Sequence, residues 1–399
     1  MATSATAVNI TQNTPRAVID WRSFSIGNGN TINVNNGTGA TLSRVTGIDR
    51  SVIDGKLAAS GSFYLINPQG VVVGPSGVVT TGGRFVASTL DIGNNNFMNG
   101  GPLNLTGSGD GVVVNLGKIS STGGDVFLVS RKLVENEGSI SAPKGSAELA
   151  TGSEVLLKDS ATGPQVFVQA GTHGDVVNKG TIEAAQIDLR AADGNIFALA
   201  GQHDDLRATG TATREGKVWL VADRGTAHVH SKIEASNADG TGGTVITTGN
   251  TLHLDDAAID AASWDISAPE FNAGPLNSAT LARNLSAGTS ITGKRDGRHG
   301  RQRQHQPRRG RAMDGRCVAH AERGARRDAR PAGDAREHRR GQPDAACRFA
   351  RQRQRRQHPE RRHARLVART RHHLRVLRHE RHLHARYSAA ERVVETGAV

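Results

Sequence analysis

The sequence predicts an all-β protein, a right-handed parallel β-helix (β-solenoid), joined to a basic tail of a different kind. Three observations carry this expectation. Residues 1–290 hold 39 of the 48 glycines of the 399-residue chain, contain no cysteine, and are rich in Thr, Ser, Asn, Val and Ile. Their apolar segments are short and set between Gly and Asn turns, as in Asp125-Val126-Phe127-Leu128-Val129 after Gly123-Gly124 and Gln165-Val166-Phe167-Val168-Gln169 after Gly163-Pro164. That is the punctuation of strands rather than of helices. Finally, the string Asn-x-Gly-x-Ile recurs at Asn115–Ile119, Asn136–Ile140 and Asn178–Ile182, at intervals of 21 and then 42 residues.

In chain order, Met1 to Asn13 has neither the charged start nor the apolar run of a signal peptide. No apolar stretch reaches the roughly 18 residues that cross a bilayer. The chain is therefore expected either to be cytosolic or to begin inside a longer reading frame. Further on, Asn67-Pro68-Gln69-Gly70 is a turn between two strongly apolar strands. Pro68 fixes φ at the first central position, and Gly70 lets the chain leave the turn without steric cost.

From residue 106 the repeats dominate. A period of about 20 residues is too short for a pair of helices but suits one coil of three short strands and three turns. The 42-residue interval is expected to span two such periods. Ile119, Ile140 and Ile182 then form an inward apolar column, and Asn115, Asn136 and Asn178 a structural ladder hydrogen-bonded from coil to coil. A weaker copy closes on Ile233. About a dozen coils at ~4.8 Å would make a monomeric rod about 50–60 Å long.

Charge separates the tail from the body. The whole chain carries +13, but residues 1–290 hold 19 of its 50 Lys and Arg and 26 of its 37 acidic residues, leaving 31 and 11 for residues 291–399. Within that tail Arg outnumbers Lys by 30 to 1, as expected of GC-rich DNA read out of frame. Shifting the reading by one base makes the Met313-Asp314 junction encode Trp and permits Asn-rich strings over Gln302–Gln306. The tail is expected to be disordered and the product of a frameshift near residues 291–295. The competing reading is a nucleic-acid arm, but the tail's aromatics are only Phe349 and Tyr387, so such binding would be non-specific. Cys317 and Cys347 have no CxxC spacing and indicate neither a disulfide nor zinc.

Catalytic candidates are sparse. A β-helix can also carry polysaccharide-active enzymes, which need carboxylates converging on one face. Asp255 and Asp256 are adjacent and expected on opposite faces of a strand, while Asp20, Asp54 and Asp91 are expected near turns. His228 and His230 would share a strand face, but no third metal ligand is evident. Gly240-Thr241-Gly242-Gly243 lacks the Lys of a phosphate loop. No catalytic residue, metal or cofactor is expected.

Four blocks carry a family resemblance: Val18-Ile19-Asp20-Trp21-Arg22-Ser23-Phe24-Ser25-Ile26-Gly27, Arg44-Val45-Thr46-Gly47, Leu65-Ile66-Asn67-Pro68-Gln69-Gly70-Val71-Val72-Val73-Gly74 and Phe85-Val86-Ala87-Ser88-Thr89-Leu90-Asp91-Ile92. In order and spacing they resemble the haemagglutinin-type domain of filamentous-haemagglutinin-like, two-partner secretion exoproteins. Gln69 and Val71 depart from that family's Asn-Pro-Asn-Gly-Ile. The resemblance implies recognition by a dedicated outer-membrane β-barrel transporter, with Asn67, Pro68, Gln69 and Gly70 as candidate recognition residues or, equally, as a purely structural turn. It also implies that a signal peptide and cap normally precede the first block. The expected organisation is a secretion domain over 1–105, truncated at its start, β-helix repeats over 106–290 and a basic tail over 291–399. The expected function is that of a secreted or surface-exposed adhesin fragment, not an enzyme, with a possible host-surface or glycan ligand and no specific nucleic-acid partner.

Overall fold

The computed structural model describes residues 6–160, 163–199, 205–269 and 274–295. All lie in one compact unit, Met1–Arg308; of the tail expected to be disordered from residue 291, residues 291–295 instead complete a strand begun at Ser290, and the rest, including Cys317 and Cys347, falls outside the described residues. The chain winds as a parallel β-helix with three faces. The first face runs from Ala7–Thr11 and Thr31–Asn35 to Lys232–Ala235 and Ala258–Asp260. The second runs from Arg16–Trp21 and Ala40–Val45 to Ser263–Ala268 and Ser290–Arg295. The third begins at Ser51–Ile53 and Val71–Val73 and ends at residues 251–253. Among the described residues the second face is eleven strands deep, about 50 Å at ~4.8 Å per strand.

Alternation along each short strand makes this stack. In Lys118–Ser121 and Lys232–Ala235, Ile119 and Ile233 point inward while the flanking Lys118 and Lys232 stay exposed. Parallel register then places Ile119, Ile140, Ile182, Leu206, Ile233 and Ile259 directly above one another, all buried. Burying each such side chain contributes about 2–3 kcal/mol. The turns demand glycine: a Cβ on Gly138 would lie 2.1 Å from Gly117 O, and one on Gly180 2.1 Å from Gly138 O.

The spacing of the repeats needs a correction. Asn136 pairs directly with Asn178, as Asn115 does with Asn136, so the 42-residue interval is one coil and not two. The extra length is an excursion out of the helix that carries Glu154–Leu157 and Val166–Ala170. An earlier excursion carries Asp91–Ile92, the short helix Asn94–Asn99 and Leu103–Thr106. The four strands join into a separate antiparallel sheet.

That sheet lies over the outside of the second face and encloses a second core, which includes Leu42, Tyr64, Val86, Phe127 and Val129 from the helix and Leu103, Leu105, Val155 and Val166 from the sheet. Strands covered on both sides need no polar face, which accounts for the unbroken apolar runs Phe63-Tyr64-Leu65-Ile66 and Val126-Phe127-Leu128-Val129. After Ser263–Ala268 the helix Pro275–Ser286 packs against the last coil before Ser290–Arg295 resumes the second face.

Candidate functional site

The turn Asn67–Gly70 sits where the second face hands the chain to the third. Asn67 is wholly buried: its Nδ2 donates to Asp49 O and to Ser51 Oγ, both at 3.0 Å, and its Oδ1 accepts from Gln69 N at 2.9 Å. Gly70 N donates to Asn67 O at 2.9 Å, closing the turn. Gly70 has φ +117°, and a Cβ there would lie 2.9 Å from Val112 O, so the position is closed to side chains. Pro68 is half-buried and Gln69 alone is exposed. Of the four, three hold the turn and one faces solvent.

Asn115, Asn136 and Asn178 are all fully buried and stack at equivalent positions of three successive coils. Asn115 Nδ2 donates to Asn136 Oδ1, and Asn136 Nδ2 to Asn178 Oδ1, each at 2.7 Å; Asn178 Nδ2 ends the row on Gly180 O at 2.8 Å.

The acidic candidates are placed only partly as expected. Asp20 and Asp91 belong to strands, and Arg44 bridges them at 3.1 and 2.8 Å while also donating to Ile92 O. This ties the first excursion to the early coils. Asp255 and Asp256 lie in a turn and not a strand, with Asp256 at φ +61°. Asp54 is in a bend whose carbonyl accepts from Ser76 Oγ. Gly240, at φ +82°, sits in a turn held by Asn237 and Thr241.

A charged cluster that sequence reasoning missed lies under the second excursion. Arg84 pairs with Asp125 at 2.9 Å and with Asp159; Arg214 reaches Asp125 at 3.2 Å and Ser146 Oγ at 3.0 Å. Glu148 and Asp188 are each about 1% exposed, on adjacent strands in direct register. Glu148 accepts from Gln165 N at 3.2 Å, and Asp188 pairs with Arg190 at 2.8 Å. Burial, reinforced by the charges of Asp188 and Asp125, pushes Glu148 well above the usual carboxylate range. Burial also raises Asp188, against the opposing charge of Arg190, to about 6. Asp125 is likewise buried, yet Arg84, Ser146 N and Arg214 hold it below its ordinary value. The cluster brings carboxylates together: Glu148 and Asp188 lie beneath protein, whereas Asp125 and Asp159 line a cleft with Arg84 between them, and of the buried pair only Asp188 has an arginine partner. Its one sequence signal is spacing: Glu148 follows Phe127 by 21 residues, the repeat interval, so a charge stands where the previous coil buries an aromatic ring.

On the third face His228 and His230 do share a side, and the structure adds His253. His228 stacks between Phe197 at 4.6 Å and His253 at 4.8 Å with rings within 11° of parallel. Such stacking keeps the ring nitrogens of neighbours from converging on one ion. Among the described residues no group of three His, Cys, Asp or Glu is arranged to hold a metal. Partial burial, together with His253 and His230, lowers the pKa of His228.

The arrangement defines a class first: a parallel β-helix whose polar residues are spent on its own turns, ladders and excursions. The sequence model of the TPS secretion domain matches residues 1–267, and the chain belongs to that two-partner secretion family. Exoproteins of this family are secreted or surface-exposed. Among similar proteins, a heme/hemopexin-binding protein of Haemophilus influenzae strain Rd is 31% identical over 237 residues, 56% of this chain and 26% of that protein. A second heme/hemopexin-binding protein of Haemophilus influenzae is 36% identical over 92 residues, 23% of this chain and 10% of that one. This chain thus matches about a quarter or less of the length of these relatives. The crystal structure of the HMW1 secretion domain from Haemophilus influenzae superposes with a TM-score of 0.57 at 27% identity, covering 69% of this chain and 74% of that one.

Proposed function

We propose that this chain is the export-directing part of an adhesin-type exoprotein, recognised by a partner outer-membrane β-barrel transporter and displayed outside the cell. The observation that carries this reading is the family match over residues 1–267 on a β-helix scaffold. Recognition is assigned to residues 1–105 and includes the Asn67–Gly70 turn; residues 106–290 serve as the shaft, stiffened by the Asn115, Asn136 and Asn178 ladder. The role is non-enzymatic: Glu148 and Asp188 are buried, and Asp125 and Asp188 are held in ion pairs with arginines. Any host-surface or glycan ligand binds the outer surface of the shaft.

Because Asn67 is consumed by the folded turn, direct recognition through it requires an unfolded chain, whereas Gln69 is accessible in both states. The test is binding of the urea-unfolded chain, diluted onto the immobilised periplasmic portion of its transporter. Asn67→Ala and Gln69→Ala should each weaken capture several-fold. Unchanged capture by both, with Asn67→Ala impaired only in refolding, would assign the turn a purely structural role.

A further inference from the structure

A β-helix that simply stops leaves a row of unpaired backbone N–H and C=O groups on each face, a template for another strand. At the last described coil of this one, two faces meet a helix instead. On the third face Leu254 N donates to Asn277 Oδ1 at 3.0 Å, and Asn277 Nδ2 donates back to Leu252 O at 3.2 Å. On the first face Ile259 N donates to Asn284 Oδ1 at 2.8 Å, and Asn284 Nδ2 donates back to Ala257 O at 2.9 Å. Each side-chain amide thus bonds the carbonyl of one residue and the N–H of the residue two further on. That is the pair of bonds a residue of a neighbouring parallel strand would make. Asn277 and Asn284 stand seven residues apart, two turns and so on one side of the helix. Thr280 between them is buried, and just past the helix Thr289 Oγ1 donates to Ile259 O at 2.9 Å.

We propose that helix Pro275–Ser286 is an edge cap, in which the Asn277 and Asn284 amides take the place of the next coil's strands and stop strand addition on the first and third faces. A further coil, or a second copy of this chain, has no free ladder to join there. Among the described residues only the second face continues past the helix, through Ser290–Arg295 on Ser263–Ala268. The cap is independent of transporter recognition: it accounts for the hydrogen bonding at the edge of the first and third faces of this coil, whatever carries the chain out of the cell.

Residue-resolved hydrogen exchange on the full chain tests this. Asn284→Ala should speed exchange at Ile259 N–H, and Asn277→Ala at Leu254 N–H, by about 10-fold or more, the ratio expected for loss of one such hydrogen bond. Ala258 N–H, which donates to Ser231 O one coil back, serves as the internal reference. Asn284→Asp and Asn277→Asp keep the accepting oxygen, so they should hold Ile259 and Leu254 within a few-fold of the parent. Unchanged exchange in the Ala variants would overturn the proposal. So would equal loss at Ile259, Leu254 and Ala258 in the Asp variants, because the helix would then be supporting the coil generally and not standing in for strands.

Discussion

Replacing Asn136 by Ala removes the middle rung of the buried ladder, and its cost can be worked from the structure. Asn136 accepts from Asn115 and donates to Asn178, both at 2.7 Å, with no solvent access to any of the three. The Ala variant leaves Asn115 Nδ2 with one long contact, 3.3 Å to Ser139 O, and Asn178 Oδ1 without its donor. Each orphaned buried group costs about 1–3 kcal/mol, so the variant should lose about 2–5 kcal/mol. Urea unfolding followed by circular dichroism measures this, and the loss should appear as a lower midpoint at similar slope. Asn136→Asp keeps the acceptor but turns the donor toward Asn178 into a second acceptor, so it should be nearly as damaging at pH 7 and milder at pH 4, where the carboxyl is protonated. A loss below about 1 kcal/mol for Asn136→Ala would refute the reasoning that the row bears on stability.

The buried Glu148 and Asp188 pair should make the domain more stable in mild acid. Both groups have raised folded pKa values, so the folded state binds more protons and stability falls as pH rises from about 4 through 6 and beyond. Glu148→Gln should therefore raise the melting temperature at pH 8 and flatten its decline between pH 5 and 8; an unchanged pH profile would contradict this. Phe127→Ala, in the core beneath the excursion sheet, should cost about 3–5 kcal/mol and, by limited proteolysis, expose residues 152–174 before the coils. Gly70→Ala should cost about 1–3 kcal/mol from its backbone conformation alone, read as a lower urea midpoint, with Gly77→Ala, whose Cβ would meet Ile53 O at 2.0 Å, as a second destabilised position of ordinary φ.

The β-helix was legible because its signals are local and repeat: glycine where two coils' backbones nearly touch, an aliphatic side chain, often Ile, at the inward position, and Asn at one corner. The excursions were hidden by a coincidence of length. Residues 137–177 hold one coil and one hairpin of similar size, so the interval doubled without a second coil. The unbroken apolar runs around Tyr64 and Phe127 carried the missing information, since a strand with one wet face alternates. The charged cluster was harder to see: Arg84, Asp125, Glu148, Asp188 and Arg214 come together only through stacking and an excursion, with no motif in sequence. The same holds for the Asn277 and Asn284 cap, whose helical spacing is plain but whose partners lie 23 to 27 residues away.

Transporter-dependent export tests the central claim most directly. The full chain, placed behind a signal peptide in a Gram-negative host, would be followed into periplasm and medium with and without the partner outer-membrane transporter. The account predicts folded, protease-resistant chain in the medium or on the cell surface only when the transporter is present. Equal distribution with and without it would contradict the assignment of this β-helix to transporter-directed secretion.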